Sequence, residues 1–236
     1  MPLPEEVLKL NSEDKRPNDD REIFDQSDLT KMFVESLEYG QDRHMRPQNF
    51  WIPLLGLYTG ARLEEICQLR VSDIKRLDGV RCLGINEDRP DVSDKPSALR
   101  LIPLHPFLLE LGFHRYAQTL PDDGRVFPDL KPINNRWGHY PGNWFGLFIN
   151  RCGIEAPQNA KAFRCFRHTV AARLKQRGVS VDKIAALLGP GMSGGYATTV
   201  KKYEPQKLLD ECVSKLDFEK RIDLNHLKNS KLAITE

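Results

Sequence analysis

The chain has 236 residues, enough to bury a full core as one large domain or as one domain with trailing appendages. Charged residues make up 29% and hydrophobic ones 40%, and no apolar run approaches the roughly 18 residues of a membrane span, which argues against a membrane protein. Lys and Arg total 35 against 33 Asp and Glu, so the net charge is only +2 and any surface for a polyanion must come from local clustering. The opening stretch, Met1 to Asp20, is polar, carries both signs of charge and lacks the apolar centre of a secretory signal, so a cytoplasmic protein is expected. Five widely spaced cysteines without a CxxC pair suggest neither a disulfide framework nor a zinc site, and inert thiols, most of them buried, are expected.

Residues 1–26 read as a flexible arm or linker remnant, rich in Glu, Asp, Lys and Pro with little apolar periodicity. Ser27-Asp28 then supplies a helix cap before Leu29-Thr30-Lys31-Met32-Phe33, and Tyr39-Gly40 closes that segment. Phe50, Trp51, Leu54, Leu55 and Tyr58 recur at helical intervals, predicting a helix over Pro47–Thr59 that Gly60 ends, and helical periodicity resumes over Ala61–Leu69. Between Arg81 and Leu104, Cys82-Leu83-Gly84-Ile85 and Leu99-Arg100-Leu101-Ile102 are strand-like runs around a polar loop, which fits a small antiparallel sheet. Helices return over Pro106–Gln118 and Trp144–Arg151, separated by a long Pro/Asp/Asn-rich loop. Further helices are expected over Phe163–Arg177, Val181–Leu188 and about Pro205–Leu216. The expected fold class is α+β, mainly helical, with a small antiparallel β-sheet.

Two segments carry chemistry. In Thr59-Gly60-Ala61-Arg62-Leu63-Glu64-Glu65, a turn delivers Arg62 to the mouth of a helix with Glu65 three residues on, placed to orient the guanidinium. On spacing alone the plainer reading, a solvated ion pair on a surface helix, is the favoured one, so a second site is needed. In Phe163-Arg164-Cys165-Phe166-Arg167-His168-Thr169-Val170, the apolar residues Phe163, Phe166, Val170 and Leu174 share one helix face. Arg164, Arg167 and His168 then cluster near the helix start, where backbone N–H groups also favour a phosphate. A solvated basic face is the plain alternative.

Joined in this order, these two blocks resemble the arginine boxes of the tyrosine recombinase, or phage integrase, family. The resemblance runs from about Asp28 to Tyr203. Between the boxes, Arg100-Leu101-Ile102-Pro103-Leu104-His105-Pro106 resembles the strand exit after the family's β-hairpin, and Val126-Phe127-Pro128 resembles its next landmark. The resemblance implies that Arg62 and Arg167 grip the scissile phosphate, that Glu65 buttresses Arg62, and that Lys95 is the hairpin lysine acting as general acid, although Lys95 also fits an ordinary loop charge. Thr198-Thr199-Val200-Lys201-Lys202-Tyr203 resembles the approach to the catalytic tyrosine, so Tyr203 is expected to be the nucleophile in preference to Tyr196. A phenol with a pKa of about 10 needs cationic surroundings for that task, which Arg62, Arg167 and Lys202 would supply.

The sequence departs from the family pattern twice. Arg164 stands where the His-x-x-Arg motif begins, which keeps a cation but removes a group able to exchange a proton near neutral pH. Pro190 follows Leu187-Leu188-Gly189 where the family has a histidine or tryptophan donor. His168 could assist at the phosphate or simply pack beside Arg167.

The implied activity is site-specific cleavage and rejoining of double-stranded DNA through a 3′-phosphotyrosyl intermediate, in a phage or other mobile element. No cofactor, metal, membrane or small-molecule substrate is implied, and self-association on DNA is. The alternative is a DNA-binding protein of the same fold with weakened catalysis. Residues 27–204 are expected to form the catalytic domain. Residues 205–236 would form a helical tail that docks on a neighbouring protomer or packs on its own domain. The chain lacks room for the core-binding domain that precedes the catalytic domain in the family, so it reads as the catalytic half alone.

Overall fold

The computed structural model describes residues 23–85, 100–154, 161–189 and 202–235. Lys95, Pro190, Tyr196 and most of the expected N-terminal arm therefore lie outside the described residues. Phe24, at the end of that arm, is buried, and its backbone N–H donates to Thr169 Oγ1 at 2.8 Å. Helix α1 (Gln26–Thr30) is capped by Asp25, not by Ser27 or Asp28: Asp25 accepts from the Asp28 N–H, and Asp28 accepts from the Asp25 N–H. It continues as a π-helical turn, Lys31–Glu35, and stops at Ser36, ahead of the expected Tyr39–Gly40.

Helix α2 (Pro47–Thr59) has the expected bounds, with Pro47 in its first turn and Gly60 ending it. Helix α3 is shorter than the Ala61–Leu69 periodicity suggested, spanning Leu63–Cys67, because Arg62 has extended backbone (ψ 149) and serves as its N-cap. Three strands follow, β1 (Ile74–Leu77), β2 (Val80–Ile85) and β3 (Arg100–Pro103), in one antiparallel sheet of order β1-β2-β3. The sequence reading missed β1. Its turn to β2 is Asp78-Gly79, both with positive φ (49 and 83), which is the geometry of a two-residue hairpin whose twist suits the strands. In the β2–β3 ladder Ile85 lies opposite Arg100 and Leu83 opposite Ile102, so Arg100 begins β3 at the site end of the sheet.

The helix expected over Pro106–Gln118 is broken at Gly112 (φ 84) into α4 (Pro106–Glu110) and α5 (Phe113–Gln118). Helix α6 (His139–Arg151) begins at His139, ahead of the expected Trp144. Helices α7 (Cys165–Gln176) and α8 (Val181–Leu188) fall within the expected ranges. Helix α9 (Pro205–Glu211) ends before Leu216, and the chain goes on through 3₁₀ turns.

Helix α2 is buried almost all round, with Phe50, Trp51, Leu54, Leu55 and Tyr58 at 0% exposure, and α3, α4, α6 and α7 pack against it. Its closest neighbour is α7. A Cβ on Gly56 would stand 2.6 Å from Phe163 Cζ and 2.9 Å from Phe166 Cδ2, so glycine is what lets the α2 backbone meet those rings. Phe24, Phe145, Phe163 and Phe166 pack edge-on or tilted around this contact, at centroid distances of 4.8 to 6.1 Å.

Residues after Tyr203 pack on the same chain. Leu208, Cys212, Val213, Leu216 and Phe218 are buried, Tyr58 Oη donates to Glu219 at 3.0 Å, and Arg173 and Arg177 pair with Asp217. None of the five cysteines is in a disulfide, and four are buried. Among the described residues no helix is long and apolar enough to cross a membrane.

The tight α2–α7 approach predicts that Gly56→Val forces buried rings apart and lowers unfolding free energy by about 1–3 kcal/mol. Urea denaturation would show this as a lower midpoint at unchanged slope. An unshifted midpoint would mean that the rings can move aside.

Candidate nucleic-acid cleft

The turn between α2 and α3 is built on Gly60, which is left-handed (φ 62) and whose Cβ would lie 2.4 Å from Leu188 Cδ2, so both backbone and space demand glycine. It delivers Arg62 with its side chain 37% exposed. Glu65 closes the cap in two ways: Oε2 accepts the Arg62 backbone N–H at 2.8 Å and Oε1 accepts Arg62 Nη1 at 2.9 Å. This is not the exposed pair that spacing alone allowed, because the Glu65 side chain is only 6% exposed.

A second arginine explains how that carboxylate stays charged. Arg100, its side chain 2% exposed, reaches across from β3 and donates Nη2 to Glu65 Oε2 at 2.7 Å and Nη1 to Oε1 at 3.1 Å. Burial alone would raise the Glu65 pKa. The charge and hydrogen bonds of Arg100, followed by those of Arg62, outweigh it and bring the group from its ordinary 4.5 down to about 2. Arg100 was absent from the sequence-based set of site residues. The available signal was its alternation with Ile102 in a strand: both point to the buried face, where an arginine requires a partner.

Helix α7 supplies the next group. Phe163, Phe166, Val170 and Leu174 are buried on its core face, as their spacing predicted. Arg164 is its exposed N-cap, His168 is half-buried, and Arg167 is buried at 7% exposure. The Arg167 guanidinium donates to the carbonyls of Gly60 (3.3 Å), Leu188 and Gly189 (2.9 Å), so it ties the α2–α3 turn to the end of α8.

Arg62, Arg164, Arg167 and His168 open together on one cleft of about 1110 Å³, whose facing wall is α6 with Asn143, Leu147 and Asn150. Lys161, which sequence reasoning also passed over, lines the cleft too and pairs with Asp28. The α6 wall is anchored by the other glutamate of α3. Glu64 accepts the backbone N–H groups of Trp137 at 2.7 Å and Gly138 at 2.8 Å, where α6 begins. Adjacent carboxylates of α3 thus serve different partners, Glu64 holding the wall and Glu65 holding the arginines. With four cations around it, such a cleft is suited to an anion of phosphodiester type.

The expected site is brought together in part. Arg62, Glu65, Arg164, Arg167 and His168 are neighbours at the cleft. Tyr203 is not among the residues lining it; half-buried against the core, it stands just ahead of α9. Among the described residues no group of three or more His, Cys, Asp or Glu is placed to hold a metal ion.

Known structures share this architecture. An integrase from mycobacterium phage Brujita superposes with a TM-score of 0.56 at 15% identity, over 87% of this chain and 61% of its own. The XerH site-specific recombinase bound to difH substrate in a pre-cleavage complex does so with a TM-score of 0.53 at 17% identity, over 80% of this chain and 52% of its own. The post-cleavage XerH complex on palindromic difH gives 0.50 at 19% identity, over 70% and 45%. The chain shares their fold. The α+β, mainly helical architecture with a small antiparallel sheet expected from the sequence is that of these solved proteins, of whose lengths the chain spans 45% to 61%. No family model matches the sequence, and no curated protein matches it.

The depressed Glu65 pKa carries a signed prediction. Stability linked to it is fully present above about pH 4.5, is lost as the pH falls toward 2, and amounts to about 3 kcal/mol. Glu65→Gln should therefore be less stable than wild type by about that amount at pH 7 and approach it as the pH drops toward 2. Denaturation curves collected across this range would reveal the convergence. A constant difference would remove Glu65 as the titrating group.

Proposed function

We propose that the chain is the catalytic portion of a tyrosine recombinase that cleaves and rejoins double-stranded DNA. The observation that carries this is the convergence of Arg62, Arg164, Arg167 and His168 on one cleft of an integrase-like fold. The XerH structures, which hold a recombinase on difH substrate before and after cleavage, support the same reading.

In this reading Arg62 and Arg167 bind the non-bridging oxygens of the scissile phosphate, where charge builds in the transition state. Glu65 keeps Arg62 in place. Tyr203 Oη gives its proton to water and attacks phosphorus, forming a 3′-phosphotyrosyl bond as the bond from phosphorus to the 5′ oxygen breaks, and that oxygen leaves with a proton from Lys95. The freed 5′ hydroxyl of a partner strand then reverses the step. Energy is conserved in the phosphotyrosyl link, and exchange of strands requires self-association on DNA. Arg164 adds charge at the phosphate but does not exchange protons, and His168 assists beside Arg167. A cytoplasmic setting accords with a DNA substrate.

A specific pair of observations favours the second reading, a DNA-binding protein with weakened catalysis: Arg164 occupies the family's histidine position, and Tyr203 does not line the cleft. Bringing Tyr203 to the phosphate requires a rearrangement when DNA binds.

A duplex nicked next to the cleavage site traps the covalent intermediate and separates the two readings. Wild type should give an adduct that resists denaturation, Tyr203→Phe should give none, and Arg62→Ala or Arg167→Ala should form it about 10²–10³-fold more slowly. An adduct that survives Tyr203→Phe rejects Tyr203 as nucleophile. Binding without any adduct from wild type establishes the second reading.

A further inference from the structure

Arg100 joins three elements from a single buried position. Two of its nitrogens hold Glu65, and through Glu65 the exposed Arg62 of the cleft. Its Nε donates to the Leu187 carbonyl at 3.0 Å, at the end of α8. Its guanidinium also lies close to Gly189: a Cβ there would be 3.1 Å from Nη1 and 3.2 Å from Cζ. Arg167 takes the next two carbonyls, Leu188 and Gly189. Successive carbonyls at the α8 terminus are thereby shared between two buried arginines, a placement that the partial negative charge of a helix C-terminus favours. In sequence, this terminus leads toward Tyr203.

We infer that Arg100 is a positioning residue of the recombinase site: it sets the Arg62 guanidinium through Glu65 and the end of α8 through Leu187. This rests on the recombinase reading given above. Arg100 is not among the residues that line the cleft, so it acts through the groups it holds. Its geometry explains why an arginine is required rather than any cation. A planar fork serves two carboxylate oxygens with two nitrogens and leaves Nε for Leu187, whereas a lysine ammonium is a single point that must choose.

The test uses the full chain with Arg100→Gln, Arg100→Lys and Arg62→Ala, separately and combined, and two readouts. The first is the rate of covalent adduct formation at saturating nicked duplex, alongside the Kd for DNA. Arg100→Gln should slow adduct formation about 10- to 100-fold while Kd changes less than about threefold, with Arg100→Lys between it and wild type. Adding Arg62→Ala to Arg100→Gln should cost far less than adding it to wild type, because Arg62 is already misplaced. The second readout needs no catalysis: in protein with ¹⁵N-labelled arginine, the Arg62 Nε–H signal should be distinct in wild type and merge with the solvent-exposed arginines in Arg100→Gln.

Full additivity of the two substitutions, or an Arg62 signal that is the same with and without Arg100, overturns the proposal. A slower rate, a higher Kd and a lower thermal midpoint appearing together would make Arg100 a purely structural residue and overturn it as well. Should Arg100→Gln fail to fold, Arg100→Lys, which keeps the buried charge, carries both readouts. A wild type that binds DNA and forms no adduct rejects the recombinase reading alone. The arginine signals then decide Arg100 by themselves.

Discussion

A carboxylate enclosed by two guanidinium groups sits where α3, β3 and α8 meet. Glu65 and Arg100 are almost completely shielded from water, and removing either would strand the other as a buried charge, at a cost of about 3–5 kcal/mol. Desolvating both ions is expensive. The expense is offset only because each oxygen of Glu65 and three nitrogens of Arg100 find partners, including the Arg62 backbone and the Leu187 carbonyl. The same interaction that closes the core at this junction therefore aims an exposed arginine into the cleft. Fold stability and site geometry depend on one set of bonds.

The second buried arginine extends the same arrangement. Arg167 satisfies carbonyls from two separate elements, Gly60 at the end of α2 and Leu188 and Gly189 at the end of α8. These chain ends would otherwise bury backbone acceptors without donors. Gly60 has to be glycine for the turn to exist and for Leu188 to pack on it, so the approach of α8 to the α2–α3 turn is set by sterics and locked by hydrogen bonds. Across the cleft, Glu64 does for α6 what Glu65 does for Arg62, receiving backbone donors at the start of the helix. A five-residue helix thus references both walls of the cleft. Its own hydrogen bonds are too few to make it stable alone, and the contacts around it supply its rigidity.

The resemblance to integrase and recombinase structures and the chemistry of the cleft are separate lines of support. At 15% to 19% identity the likeness speaks for the fold, and the arginine-lined cleft speaks for an anionic ligand. The C-terminal segment adds a further constraint. Tyr203 begins a stretch packed onto the body through Leu208, Val213 and Phe218 and by ion pairs from Asp217 to Arg173 and Arg177. Tyr203 thus stands at the head of a segment held to the body at many points.

Local features settled much of the architecture in advance. Pro47 and Gly60 bracket α2 because proline tolerates a helix start and glycine a left-handed end, and the apolar stripe of Phe163, Phe166, Val170 and Leu174 follows from helical periodicity alone. The arginines of the cleft were readable because their spacing set them at two helix starts. The Asp78-Gly79 hairpin was also written in the sequence, as an Asp-Gly pair, and went unread because Ile74-Lys75-Arg76-Leu77 has little of the apolar alternation that marks a strand. Where helices start was less legible: Arg62 and Gly112 are N-caps that interrupt apolar periodicities running across them, since a cap depends on backbone angles that pattern does not encode. The partnership of Glu65 with Arg100, 35 residues away, belongs to tertiary structure. An ion pair of that separation has no periodicity, and only the folding of β3 against α3 and α8 removes the water that would otherwise have solvated both charges.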